Sequence, residues 1–191
     1  MNPFSTRFVR PGALPYYFPP GQSAEQLAAK FAAQGWRGQI VGPHGSGKST
    51  LLAALAPWIE RSGRKLLGFV LHDGQRRLPI AADERRALSD ASVLVIDGFE
   101  QLSAFNRWRI GRLCRRRGCG LLATAHADVG LPELYRTETN VELARRVVEA
   151  LAPGDRAISA DDVKRAFSTR RGDLREALFD LYDLYEHRRL R

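Results

Sequence analysis

At 191 residues, 44% of them apolar, the chain is long enough to bury a core of its own and is sized for one domain with, at most, a small appendage. Its longest apolar run, residues 51–59, is interrupted by Pro57 and falls far short of a membrane span, and the N-terminus lacks the apolar stretch of a secretory signal, so a cytoplasmic protein is expected. The net charge of +9 comes almost entirely from arginine, the only lysines being Lys30, Lys48, Lys65 and Lys164, and such a balance suits contact with polyanions as well as an arginine-rich proteome. Cys114 and Cys119 have no His or Cys partners at metal-ligand spacing, which argues for reduced thiols rather than a zinc site.

In chain order, residues 1–22 are rich in proline and aromatics and read as an extended arm. Ser23 can cap a helix over 24–34, which Gly35 ends before an apolar strand at 38–42. Helical periodicity returns over 49–61 and stops at Gly63. A buried strand is expected at 65–72, a loop at 73–79, a short helix at 81–89 and a central strand at 93–97, sequence VLVID. A helix over 101–117 and a strand over 120–125 follow. Strands alternating with helices imply a parallel sheet covered on both faces. From Thr139 the pattern is helical only: Thr139 capping 140–151, Ser159 capping 160–167, and an amphipathic stretch over 173–189.

The segment GPHGSGKST runs through Gly42, Pro43, His44, Gly45, Ser46, Gly47, Lys48, Ser49 and Thr50 and satisfies G-x-x-x-x-G-K-[ST]. It follows an expected strand and opens an expected helix, the context that pattern requires. Glycines let backbone amides turn inward around a β-phosphate, and the helix N-terminus adds partial positive charge. Lys48 would reach the β and γ phosphates, and Ser49 would offer its hydroxyl to Mg²⁺. Such a loop needs an acidic group at a neighbouring strand end to hold the metal's water shell; Asp97 closes VLVID, 49 residues after Lys48.

The order of loop, Asp97 strand and polar-ended strand (LLATAHAD, with Thr124 and His126) resembles the P-loop ATPases that carry an extra strand between the two Walker strands, a group including AAA+ and ABC proteins. The resemblance implies that His126 or Thr124 senses the γ-phosphate of ATP. No LSGGQ-like signature is present and the Walker interval is short, which sets ABC subunits aside. The stretch RRGDLREALFDLYDLYE resembles the AAA+ sensor 2 helix, often G-x-x-R, with Gly172 and Arg175 in the matching places. Arg175 would then contact nucleotide phosphates from a lid that ATP closes. One departure stands out: the residue after Asp97 is Gly98, where these enzymes usually place a catalytic glutamate. Glu100 is open to two readings, the water-directing group or a glutamate favoured at a helix N-terminus.

Arg107, Arg109, Arg112, Arg115, Arg116 and Arg117 crowd one predicted helix and give it a basic face. That face suits nucleic acid, an acidic protein partner, a neighbouring subunit's nucleotide, or solvent alone. The arm is open either to covering the adenine or to packing on a sheet edge. The expectation is an α/β P-loop three-layer sandwich with a parallel central sheet and a small C-terminal helical lid: an arm over 1–22, a nucleotide-binding domain over 23–138 and a lid over 139–191. Function is expected to be Mg²⁺-dependent ATP binding and hydrolysis, with Lys48, Glu100 and His126 in catalysis. The alternatives are a non-hydrolysing nucleotide-gated module, with a protein partner, a second copy or nucleic acid as its target, and a small-molecule kinase using Arg76 and Arg77 in the 73–79 loop.

Overall fold

A computed structural model describes residues 2–189. In chain order the elements are α1 (Thr6–Val9), α2 (Ala24–Ala33), β1 (Arg37–Val41), α3 (Lys48–Arg61), β2 (Lys65–Val70), α4 (Ala82–Ala87), β3 (Ser92–Asp97), a 3-10 turn (Phe99–Gln101), α5 (Ala104–Arg117), β4 (Gly120–Ala125), β5 (Glu133–Arg136), α6 (Val141–Leu151), α7 (Ala160–Thr169) and α8 (Leu174–Arg189). They fall into two compact units. One contains residues 18–42 and 51–136; the other contains residues 2–17, 43–50 and 137–189.

The first unit is built on a five-stranded sheet, all parallel, in the order β2-β3-β4-β1-β5. The interior strands β3 and β4 are close to continuously apolar because both their faces are covered: Val93, Leu94, Ile96, Leu121, Leu122, Ala123 and Ala125 are all at most 1% exposed. Leu94, Ile96, Leu121 and Ala123 share one face and pack with Ile110 and Cys114 of α5 and with Leu88. Between β1 and β2 the chain forms α3, whose Leu51, Leu55 and Ile59 are buried at helical spacing. That burial offsets Pro57, which removes one backbone donor from the interior of α3. The result is the three-layer α/β sandwich expected from the alternation of elements, and β4 lies between β3 and β1, the extra-strand order of the P-loop group.

Several local expectations shift for identifiable reasons. The helix foreseen over 101–117 starts at Ala104, because Ser103 Oγ accepts the Asn106 amide at 3.3 Å and caps it there, leaving the 3-10 turn before it. Asn140, not Thr139, caps α6, its Oδ1 taking the Leu143 amide at 2.8 Å; the Thr139 hydroxyl instead donates to the Gly172 carbonyl at 2.7 Å. The four-residue edge strand β5 was not foreseen.

The second unit packs α6, α7 and α8 around Val147, Val148, Val163, Phe167, Leu178, Leu181 and Tyr185. The proline-rich N-terminal segment is more than an extended arm here. It makes one turn of helix, α1, and drives Phe4 into that core, fully buried and edge-on to Tyr185 with ring centroids 5.7 Å apart. Burying a phenylalanine contributes about 1.5–3 kcal/mol. The Asn2 amide reinforces it, donating to the Tyr182 carbonyl at 3.0 Å and Glu186 Oε1 at 2.8 Å. Among the described residues no helix is long and apolar enough to cross a membrane.

Candidate functional site

The loop between β1 and α3 takes its shape from two glycines. Gly45 and Gly47 have φ of 64° and 85°, the left-handed region that side chains disfavour, on either side of Ser46. Ser46 is 3% exposed; its hydroxyl is 2.8 Å from the Pro43 carbonyl and 2.6 Å from the hydroxyl of buried Thr137. Pro43 and His44 form the exposed tip of the loop. Lys48 begins α3, is only 9% exposed, and donates from Nζ to the Pro43 carbonyl at 2.7 Å, so the ammonium is folded across its own loop. Ser49 and Thr50 complete the first turn of α3. Alternating left-handed turns at a helix start gather backbone N–H groups into a concavity that favours an anion.

The start of α8 closes on this loop from within the same unit. A Cβ on Gly45 would fall 1.9 Å from Asp173 Oδ1 and 3.1 Å from the backbone nitrogen of Arg175, so only glycine fits. Asp173 Oδ1 accepts the Glu176 amide at 3.0 Å and caps α8. Arg175 is exposed, its guanidinium lying 5.9 Å above the ring of Phe179 along the helix, so the backbone of Arg175 approaches Gly45 while its charge follows α8. On the other side the ring of Tyr16 lies 3.5 Å from the position a Gly47 Cβ would take.

In the sheet unit, polar groups collect at the carboxyl ends of three adjacent strands. The Gly42 amide donates to the Ala125 carbonyl at 3.1 Å, which carries the β1–β4 ladder one residue into the loop segment. Asp97 ends β3, and Thr124, 1% exposed on β4, donates its hydroxyl to Asp97 Oδ1 while accepting the Gly98 amide at 2.9 Å. Both capacities of that hydroxyl are used in fixing the carboxylate and the turn behind it. The departure at Gly98 has a backbone cause: its φ is 85°, and a Cβ there would meet the Leu71 carbonyl oxygen at 2.9 Å. No glutamate fits at 98 in this turn; Glu100 lies two residues later, in the 3-10 turn.

Glu100 Oε1 lies 3.0 Å from His126 Nε2, and His126 Nδ1 faces the Gly42 carbonyl at 3.3 Å. Both ring nitrogens therefore face oxygen atoms, which fixes the orientation of the imidazole ring. Glu100 Oε2 is buried with no hydrogen-bond partner. An unmatched buried oxygen costs about 1–3 kcal/mol, and one left in this position is suited to receiving a donor such as water.

Gly42, Asp97, Glu100 and His126 are thus brought together at the strand ends. Gly45, Ser46, Gly47 and Lys48 are brought together with Arg175's backbone at the start of α8. Within the sheet unit, the hard carboxylate oxygens of Asp97, pre-oriented by Thr124, are of the kind Mg²⁺ takes with few protein ligands and retained waters; in the helical unit the Ser49 hydroxyl is a donor of the same kind. Thr137, Asp173 and Tyr16 were not foreseen as loop neighbours; only Tyr16 had a signal, in the aromatic arm.

No family model matches the chain, and no curated protein matches it. Among solved structures, that of C. elegans PCH-2 is similar at 14% identity, over 88% of this chain and 67% of that one, with a TM-score of 0.42. That likeness is distant and concerns fold alone.

Proposed function

We propose that the chain binds ATP with Mg²⁺ through the loop from Gly42 to Thr50 and hydrolyses it, as an AAA+-like ATPase in which hydrolysis drives a conformational switch. The observation that carries the reading is the loop itself: Gly45 and Gly47 left-handed about buried Ser46, immediately before Lys48 at the start of α3. Lys48 leaves the Pro43 carbonyl for the β and γ phosphates, and the loop amides take the remaining phosphate oxygens. Ser49 and Asp97 are the residues that would hold Mg²⁺, directly and through water. Bound there, the metal would supply neutralisation of the charge on the β and γ oxygens. Glu100 orients the attacking water and takes its proton, and His126 reports the γ-phosphate. The helices from residue 139 onward serve as a lid, with Arg175 turning from Phe179 toward the phosphates when ATP is present.

The 3.0 Å pairing of Glu100 with His126 favours one second reading, a nucleotide-gated binding module. While that pair holds, Oε1 is engaged by His126 and only Oε2 is left to meet water; in this reading turnover waits on a partner that separates the two.

Calorimetric titration with ATP and Mg²⁺ tests the shared core of both readings. Wild type binds, Lys48→Ala weakens binding at least tenfold, and omission of Mg²⁺ weakens it as well. A wild-type protein that takes up no nucleotide in the presence of Mg²⁺ overturns the proposal.

A further inference from the structure

Helix α5 carries a feature that nucleotide binding does not use. Phe105 and Trp108 are 64% and 53% exposed, and their rings stack on each other in the open with centroids 6.0 Å apart and planes 21° apart. Arg109 stands over Phe105 at 5.7 Å and Arg112 over Trp108 at 5.5 Å. Beside Trp108 opens a cavity of about 470 Å³ whose wall includes Arg37, Arg107 and Arg115. The cavity's one carboxylate is Asp128, held below the usual carboxylate range chiefly by the Gln39 amide at 2.7 Å and also by the Gly130 N–H at 2.8 Å.

We propose that this face of α5 binds single-stranded nucleic acid, with bases stacking on the Phe105–Trp108 pair and the backbone phosphates running along Arg109 and Arg112 and into the cavity at Arg107, Arg115 and Arg37. The chemistry selects this occupant over others. An apolar protein surface would bury the rings but strand the guanidiniums that sit on their faces. An acidic peptide would satisfy the guanidiniums and leave the rings without flat partners. A duplex presents phosphates but keeps its bases in their own stack. Single strands offer flat π-faces and phosphates at alternate positions along one chain, which is what a line of exposed rings flanked by arginines matches. The cavity has the volume of a nucleotide-sized site, and Asp128 places one acceptor there for a base amine or sugar hydroxyl. The inference does not depend on nucleotide hydrolysis and stands on α5 and its neighbours alone.

The test is fluorescence anisotropy of a labelled oligodeoxythymidylate with full-length wild type, with Phe105→Ala/Trp108→Ala, and with Arg109→Gln/Arg112→Gln, across a salt series. All four side chains are on the surface, and thermal unfolding of each variant checks that the fold is kept. Wild type binds; the ring variant loses roughly tenfold or more in affinity with its salt slope unchanged; the arginine variant has a slope shallower by about one to two. Duplex of matched length competes weakly. Absence of binding at low salt overturns the proposal. So does binding indifferent to the two rings, or equal competition by duplex, since either reduces the surface to a polyanion attractor. Tighter, ring-dependent binding of polyglutamate than of the oligonucleotide also overturns it, in favour of an acidic protein partner.

Discussion

Glu100 and His126, 26 residues apart in the chain, meet through Oε1 and Nε2 at 3.0 Å, with His126 Nδ1 turned to the Gly42 carbonyl at the start of the phosphate-type loop. The Glu100 side chain is 23% exposed and that of His126 31%, so the pair is partly screened. A double-mutant cycle with Glu100→Gln and His126→Ala, read by urea unfolding, gives a coupling of about 1 kcal/mol. Additive effects would show that the two do not interact in solution.

Gly98 sets where the carboxylate can stand. With φ of 85° and the Leu71 carbonyl 2.9 Å from any Cβ, Gly98→Ala lowers stability by about 1–3 kcal/mol and Gly98→Glu by at least as much. Denaturant unfolding measures both. A Gly98→Glu protein as stable as wild type would remove the backbone explanation for Glu100.

Thr124 holds Asp97 from one side and the Gly98 amide from the other. Thr124→Val keeps the shape and deletes the hydroxyl, at a cost of about 1–3 kcal/mol for the groups left unmatched. It also weakens the Mg²⁺ dependence of ATP binding, while Thr124→Ser preserves both. Titration of Mg²⁺ at fixed nucleotide checks this; an unaltered Mg²⁺ response in Thr124→Val would separate Asp97 from the metal.

In the helical unit, Arg188 donates to both oxygens of Asp162, which also closes the capping box of α7 with Ser159. These bonds, Arg188's first, hold the Asp162 carboxyl well below the ordinary range. A carboxyl depressed on folding adds stability above its unfolded pKa of about 3.9, and that stability drains away as pH falls toward the lower folded value. Asp162→Asn therefore costs about 1.5–3 kcal/mol near neutrality and less in acid. Unfolding midpoints of the two proteins, followed downward from about pH 5, converge; parallel curves would contradict the pairing.

The parts of the fold carried by long, pure signals were legible. VLVID and GLLATA are buried on both faces and read as central strands; GPHGSGKST joined a strand to a helix as its spacing required. What escaped was held by single long-range contacts. Strand β5 is four residues at a sheet edge with only Leu134 fully buried, too short for any periodicity. Phe4 sits among prolines, and nothing local announces the pocket beside Tyr185 that buries it. Thr137 and Asp173 reach the loop only because the chain folds back on it, through a hydroxyl contact to Ser46 and a close approach to Gly45. Gly98 was visible as a departure, but its cause is the carbonyl of Leu71, 27 residues earlier.

Single-turnover hydrolysis of ATP with Mg²⁺, with protein in excess, compares wild type with Glu100→Gln and tests the central claim most directly. The account predicts that both proteins bind ATP, that wild type converts it to ADP and phosphate, and that Glu100→Gln slows the conversion about 100-fold or more. Wild type that holds ATP intact, or a Glu100→Gln protein that hydrolyses at the wild-type rate, would contradict it.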